Sequence, residues 1–178
     1  MYQEVLDFWF KELSPKDWFA GEEELDARIS ERFGTVHAMA VQCELSEWRT
    51  CAQGRLAEVI VLDQFSRNIH RGTPDAFASD PLALALAQEA IFQELDKSLS
   101  QAERTFLYMP FMHSESLKIH EQAVELFKAN GVESTLDYEY KHKVIIEQFG
   151  RYPHRNDILN RVSTEEEVVF LSQPGSSF

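Results

Sequence analysis

Two short runs hold most of the side chains able to do chemistry. Residues 62–72 read LDQFSRNIHRG and residues 146–156 read IEQFGRYPHRN, so the pattern [DE]-Q-F-x-R-x-x-H-R occurs twice. Aligned at the glutamines, Asp63, Gln64, Phe65, Arg67, His70 and Arg71 match Glu147, Gln148, Phe149, Arg151, His154 and Arg155. Arginine presents a planar fork of donors that suits a carboxylate or a phosphate, and a neighbouring histidine can carry a proton. The pair of runs therefore points to an anion pocket. Acids and arginines at helix ends also form ion-pair and capping networks that only brace a fold, and the residues alone leave both readings open.

A third run, YMPFMHSE at residues 108–115, adds His113 and Glu115 just after an apolar stretch. His113 has the chemistry of a general base and Glu115 that of its partner. Two residues apart, they face different sides of a helix, so Glu115 is better read as the anchor of an arginine. The candidate acid–base groups are then His70, His113 and His154. The candidate ligand-binding set is Asp63, Gln64, Arg67, Arg71, His113, Glu115, Arg151, His154 and Arg155.

Other chemistries find less support. Glu139 and His142 form one Glu-x-x-His, whereas a di-iron carboxylate bundle needs two such motifs and two further acids. Neither a zinc-protease, a serine-hydrolase elbow, a Walker nor a dinucleotide glycine motif occurs. Cys43 and Cys51 match no metal or redox spacing and read as reduced thiols. No metal and no cofactor is implied. Phe8, Trp9, Phe10, Trp18 and Phe19 could line a groove, but area on this scale is more often core.

The elements that must position these groups are helical. Only 7 Gly and 6 Pro interrupt a chain rich in Ala, Leu, Glu and Gln, and no strand-like alternation of useful length occurs. Helices are predicted over about residues 2–13, 22–48 and 52–70, the last with Leu56, Val59, Ile60 and Asp63 on one face. Ser79 or Asp80 caps the next, with Pro81 at its first position, where the missing N–H does no harm. Ser100 and Glu103 form a capping box opening a long stretch that Pro110 is expected to kink or split and Gly131 to stop. Ser134 and Asp137 suggest a helix reaching about Phe149, and Ser163 with Glu166 a short last one. Asp63 and Glu147 fall near helix ends, where an acid needs a cation, and Arg67 and Arg151 lie at the four-residue spacing that supplies one wherever the helix continues. Gly150 and Pro153 are expected to break the second run early, so the sequences should match better than the backbones.

At 178 residues and 44% hydrophobic the chain suits one well-packed domain. The expected division is a single α-helical domain over residues 1–171 and a flexible tail over 172–178. Seventeen basic against thirty acidic residues give a net charge of −13, which repels nucleic acid and anionic membranes. Glu4 and Asp7 interrupt the first apolar run, which argues against a secretory signal, and no uncharged stretch is long enough to span a bilayer. A cytoplasmic location is expected.

The runs LDQFSRNIHRGTPDAFASD, YMPFMHSE and FGRYPHRN followed by RVSTEEEVVFL, preceded by FWF and DWF, resemble the bacterial family known as domain of unknown function 924. The resemblance runs from about Val5 to Leu171. It implies a tetratricopeptide-like stack of antiparallel helical hairpins, although no clean repeat can be extracted from the sequence. It implies no activity. Its motif positions here are Asp63, Gln64, Phe65, Arg67, Asn68, Arg71 and Gly72, then His113, Ser114 and Glu115, then Phe149, Gly150, Arg151, His154, Arg155 and Asn156. One departure is Asn160, where the family pattern suggests glycine, and Asn also tolerates the left-handed conformation. The leading expectation is a pocket for a small anionic ligand or acidic peptide. The alternatives are a peptide-binding scaffold braced by the same motifs and an enzyme using histidine on an anionic substrate.

Overall fold

The computed structural model describes residues 1–176 of the 178, and all regular structure among them is helical. Helix α1 (Tyr2–Asp7) runs into a π-helical turn, Phe8–Glu12, and α2 spans Glu23–Val41. Helix α3 (Ala52–Ile60) continues through a second π turn, Val61–Phe65, into α4 (Ser66–Ile69). Then follow α5 (Asp75–Ala78), α6 (Asp80–Phe92), α7 (Gln101–Met112), α8 (Leu117–Asn130), α9 (Glu133–Phe149) and α10 (Glu165–Leu171).

Helix α3 is the hub. Every residue from Leu56 to Phe65 is buried, as expected of a helix apolar on nearly all sides, and α1, α6 and α7 pack around it. Gly54 makes the approach of the preceding 3-10 turn, Ser46–Thr50, possible, because a Cβ there would lie 2.0 Å from the Trp48 carbonyl oxygen. The main core joins Phe8, Trp9, Phe33, Phe65, Phe106 and Phe127, so Phe8 and Trp9 are core residues rather than groove lining. Trp18 packs on Trp9 and Phe106, and its indole N–H donates to the Trp9 carbonyl at 2.8 Å. A smaller cluster of Ile145, Ile146 and Tyr152, flanked by Phe149 and Phe170, holds the C-terminal elements.

Cap chemistry explains most boundaries. Both bonds of the Ser100–Glu103 capping box are made, and Gly131 ends α8 in the left-handed conformation. Pro110 lies in the last turn of α7, and the chain leaves the helix at His113 before α8 begins. Three boundaries differ from expectation. Helix α2 stops at Val41 rather than near Trp48, and Cys43 just beyond it turns left-handed with φ 61°. Helix α9 starts at Glu133, ahead of Ser134. The last capping box is formed by Thr164 and Glu167, one residue later than Ser163 and Glu166. Of the tail expected to be flexible at 172–178, residues 177 and 178 lie outside the described residues, and Ser176 Oγ donates to the Leu171 carbonyl at 3.2 Å.

Candidate functional site

Four chain ends meet at one place: the π turn after α3, the end of α7, the start of α6 and the 3-10 turn Pro153–Arg155. The π turn supplies Asp63, whose side chain is wholly buried. An extra residue in a helical turn frees backbone carbonyls, and two of these are satisfied from within: Arg67 Nη1 donates to the Asp63 carbonyl at 2.8 Å and Ser66 Oγ to that of Leu62 at 2.6 Å. The Asp63 carboxylate meets His113 Nδ1 at 2.7 Å, Gln64 Nε2 at 2.6 Å and Arg67 Nη1 at 3.2 Å. Burial alone would raise this carboxyl, but the Arg67 guanidinium and the His113 and Gln64 N–H groups outweigh it and hold the group well below the usual range. Burial, then Arg67, push His113 down, so the pair is an ionised Asp63 accepting a proton-bearing Nδ1 from a neutral imidazole.

Asp80, in the first turn of α6, is the second acid. Arg67 grips it through both nitrogens, at 2.8 and 3.0 Å, which makes Arg67 a bridge between the two carboxylates. Arg155 reaches the same acid only at 3.4 Å and donates from Nη2 to the His113 carbonyl at 3.1 Å. Its side chain is 8% exposed, and among the described residues its Nε–H finds no acceptor. The guanidinium lies 4.5 Å from the Phe77 ring centre and 4.7 Å from that of Tyr152, so aromatic faces supply part of its surroundings. The cluster reaches the surface through His113, Arg67 and Asp80, whose side chains keep 15, 20 and 14% exposure.

The family described as bacterial protein of unknown function (DUF924) matches residues 5–175 of this chain. The chain belongs to that family. A solved structure of a protein of unknown function from Agrobacterium tumefaciens is similar over 96% of both chains, with 38% sequence identity and a TM-score of 0.91. No curated protein matches.

In this DUF924 chain the remaining candidate residues disperse. Arg71 lies beyond the end of α4 and forms a fork on Asp26 of α2, at 2.5 and 2.8 Å, beside Asn68. His70 lies on the same side, its ring 5.2 Å from that of His37. Arg151 is held by Glu167 of the last capping box, at 2.6 and 2.7 Å, and Arg71 and Arg151 share no hydrogen-bond partner with Arg67 or Arg155. The four arginines therefore do not converge, because the Gly150 left-handed cap turns the chain away before Arg151, and Glu147 pairs with Lys143 instead. The glutamines diverge too: Gln64 is buried, whereas Gln148 is exposed. Glu115 does anchor an arginine, but it is Arg161, at 2.7 and 2.9 Å, while its Oε1 also accepts the Tyr152 backbone N–H.

Sequence reasoning missed Asp80, read only as a helix start, and the partnership of Asp63 with His113. It also missed an inner network behind the site. Tyr152 donates its hydroxyl proton to the Met112 carbonyl at 2.6 Å, and His120 Nε2 lies 3.1 Å from the same hydroxyl. His120 Nδ1 lies 2.7 Å from Glu139 Oε1, and burial raises the Glu139 carboxyl. The rings of His142 and His154 lie 5.7 and 5.5 Å from that of Tyr152. Burial pushes His142 down to about 3 and His154 to about 4, so these two rings are uncharged at neutral pH. Elsewhere, Ile91, Phe92, Phe111 and Leu126 line a shallow groove between α6, α7 and α8.

Proposed function

We propose that the chain binds a small anionic ligand, a carboxylate or a phosphate group, at the surface where Arg155, Arg67 and His113 meet. The observation that carries this reading is the state of Arg155. A buried guanidinium ordinarily has its donors satisfied, since an unmet buried donor costs roughly 1–3 kcal/mol. Here Nε has no acceptor, Nη1 reaches Asp80 only at 3.4 Å, and that acid is already occupied by Arg67. An oxyanion supplies what the site lacks, an acceptor for the Arg155 Nε–H. Burial and the nearby Arg67 both disfavour the charged Arg155, and an anion relieves both effects.

A thermal-shift series with inorganic phosphate, sulfate and small mono- and dicarboxylates tests the reading. A ligand at a hundred times its Kd stabilises the folded state by about 2.7 kcal/mol, which is several degrees in Tm for a domain of this size. The expected result is such a shift for the parent protein and its loss in Arg155→Met. An unshifted parent across the series, or an undiminished shift in Arg155→Met, contradicts the proposal.

A further inference from the structure

Anion binding leaves one chemical resource of this cluster unused. With Nδ1–H donating to the buried Asp63 carboxylate, the lone pair of His113 is on Nε2. Among the described residues Nε2 has no hydrogen-bond partner, and the imidazole keeps 15% of its surface open. A carboxylate on the far nitrogen fixes the tautomer and orientation and stabilises the imidazolium that forms when Nε2 takes a proton. Titratable and charged groups around the ring are Asp63 and Arg67 from the π turn and α4, Asp80 from α6 and His142 from α9, and the Arg155 guanidinium of the 3-10 turn is bonded to the His113 backbone carbonyl. A base and two arginines, one of them with an unmet buried N–H, thus belong to one cluster.

We propose that His113 is the general base of a proton-transfer site whose substrate is a small carbonyl compound bearing the carboxylate or phosphate held by Arg155 and Arg67. The inference rests on the anion-binding reading. In the forward step the C–H bond next to the substrate carbonyl breaks and its proton passes to His113 Nε2. The electron pair stays on the substrate as an enolate, whose oxygen charge is balanced by the Arg67 and Arg155 guanidinium groups. The proton then returns from Nε2 to the same carbon, so no co-reactant is consumed. The nearest serine hydroxyls have structural partners: Ser66 Oγ donates to the Leu62 carbonyl and meets His37 at 2.8 Å, and Ser114 Oγ accepts the Ser116 backbone N–H.

Two measurements on the intact protein test this. In 15N-histidine NMR at neutral pH, His113 is expected to show a protonated Nδ1 and an unprotonated Nε2, and the Nε2 signal is expected to move on titration with inorganic phosphate. In D2O, the parent is expected to exchange the carbon-bound protons of pyruvate or dihydroxyacetone phosphate, and His113→Gln to do so at least about 100-fold more slowly. An Nε2–H tautomer, or a phosphate titration that stabilises the protein while leaving His113 unmoved, overturns the base and leaves anion binding standing. Absence of exchange in both compounds overturns the proton-transfer step. Failure of phosphate and carboxylates alike to bind removes the anion site and this inference with it.

Discussion

A buried guanidinium can be replaced by an apolar chain at little cost if its acid keeps another partner, whereas removing an acid that two arginines share strands both. Asp80 retains the bidentate Arg67 when Arg155 is removed, and since the Arg155 Nε–H has no partner among the described residues, the main bond given up is the one from Nη2 to the His113 carbonyl. Arg155→Met is therefore expected to stay within about 1 kcal/mol of the parent in urea unfolding. Asp80→Ala is expected to lose about 3–5 kcal/mol by the same measurement. Equal losses in the two variants would show that Arg155 is a bracing residue. The unequal losses separate a binding arginine from a structural one. At this scale the sequence was half legible. The pairing of Asp63 with Arg67 follows from helical spacing, but His113 is fifty residues from Asp63 and no local rule connects them. Asp80 was visible only as a helix start because its second role depends on where α6 lands.

Among elements, boundaries were legible wherever a side chain closes a backbone bond. The Ser100–Glu103 box and the Gly131 stop belong to this kind, and Asn160 adopts the left-handed φ of 53° that its position called for. Ser163 and Thr164 each precede a glutamate by three residues, so the sequence offers two boxes of equal local merit. The choice falls to Thr164 because Glu167 also binds Arg151 and Asn156, contacts made by tertiary structure. The π turn carrying Asp63 had no sequence signal, since its residues are as apolar and helix-compatible as their neighbours. Gly54 gave none either, because its role is set by the Trp48 carbonyl rather than by its own helix. Gly54→Ala is expected to separate α3 from the preceding 3-10 turn and to cost roughly 3 kcal/mol, read as a lowered Tm. A Tm equal to that of the parent would mean that the turn yields freely. Loss of the α3 position would also move Asp63, so the same variant is expected to weaken anion binding.

For the whole molecule, the all-helical class followed from composition and spacing, but the site between the large core and the small C-terminal cluster did not. The duplicated motif was expected to match better in sequence than in backbone, and the fold uses one copy as a buried hub and the other as a peripheral cap. That arrangement sets the response to pH. His142 and His154 titrate near 6.5 when unfolded but are held down to about 3 and about 4 when folded. Below the unfolded value the unfolded chain binds protons that the native chain refuses, so their contribution is complete above 6.5 and is lost as pH falls toward 4 and 3. Each adds a slope of about 1.4 kcal/mol per pH unit within its window. Glu167, held at about 2 by Arg151 against an ordinary 4.5, extends the loss to lower pH. Urea-unfolding free energies measured between about pH 7 and pH 5 are expected to fall with acid, and less steeply in His142→Gln; the same slope in both proteins would contradict this origin. The central claim is the anion site, and calorimetric titration of inorganic phosphate and small dicarboxylates into the parent and into Arg155→Met tests it most directly. Saturable binding to the parent, weakened at least about tenfold in a variant of unchanged Tm, is the predicted result, a difference of about 1.4 kcal/mol. No saturable heat in the parent, or equal affinity in the two proteins, would contradict it.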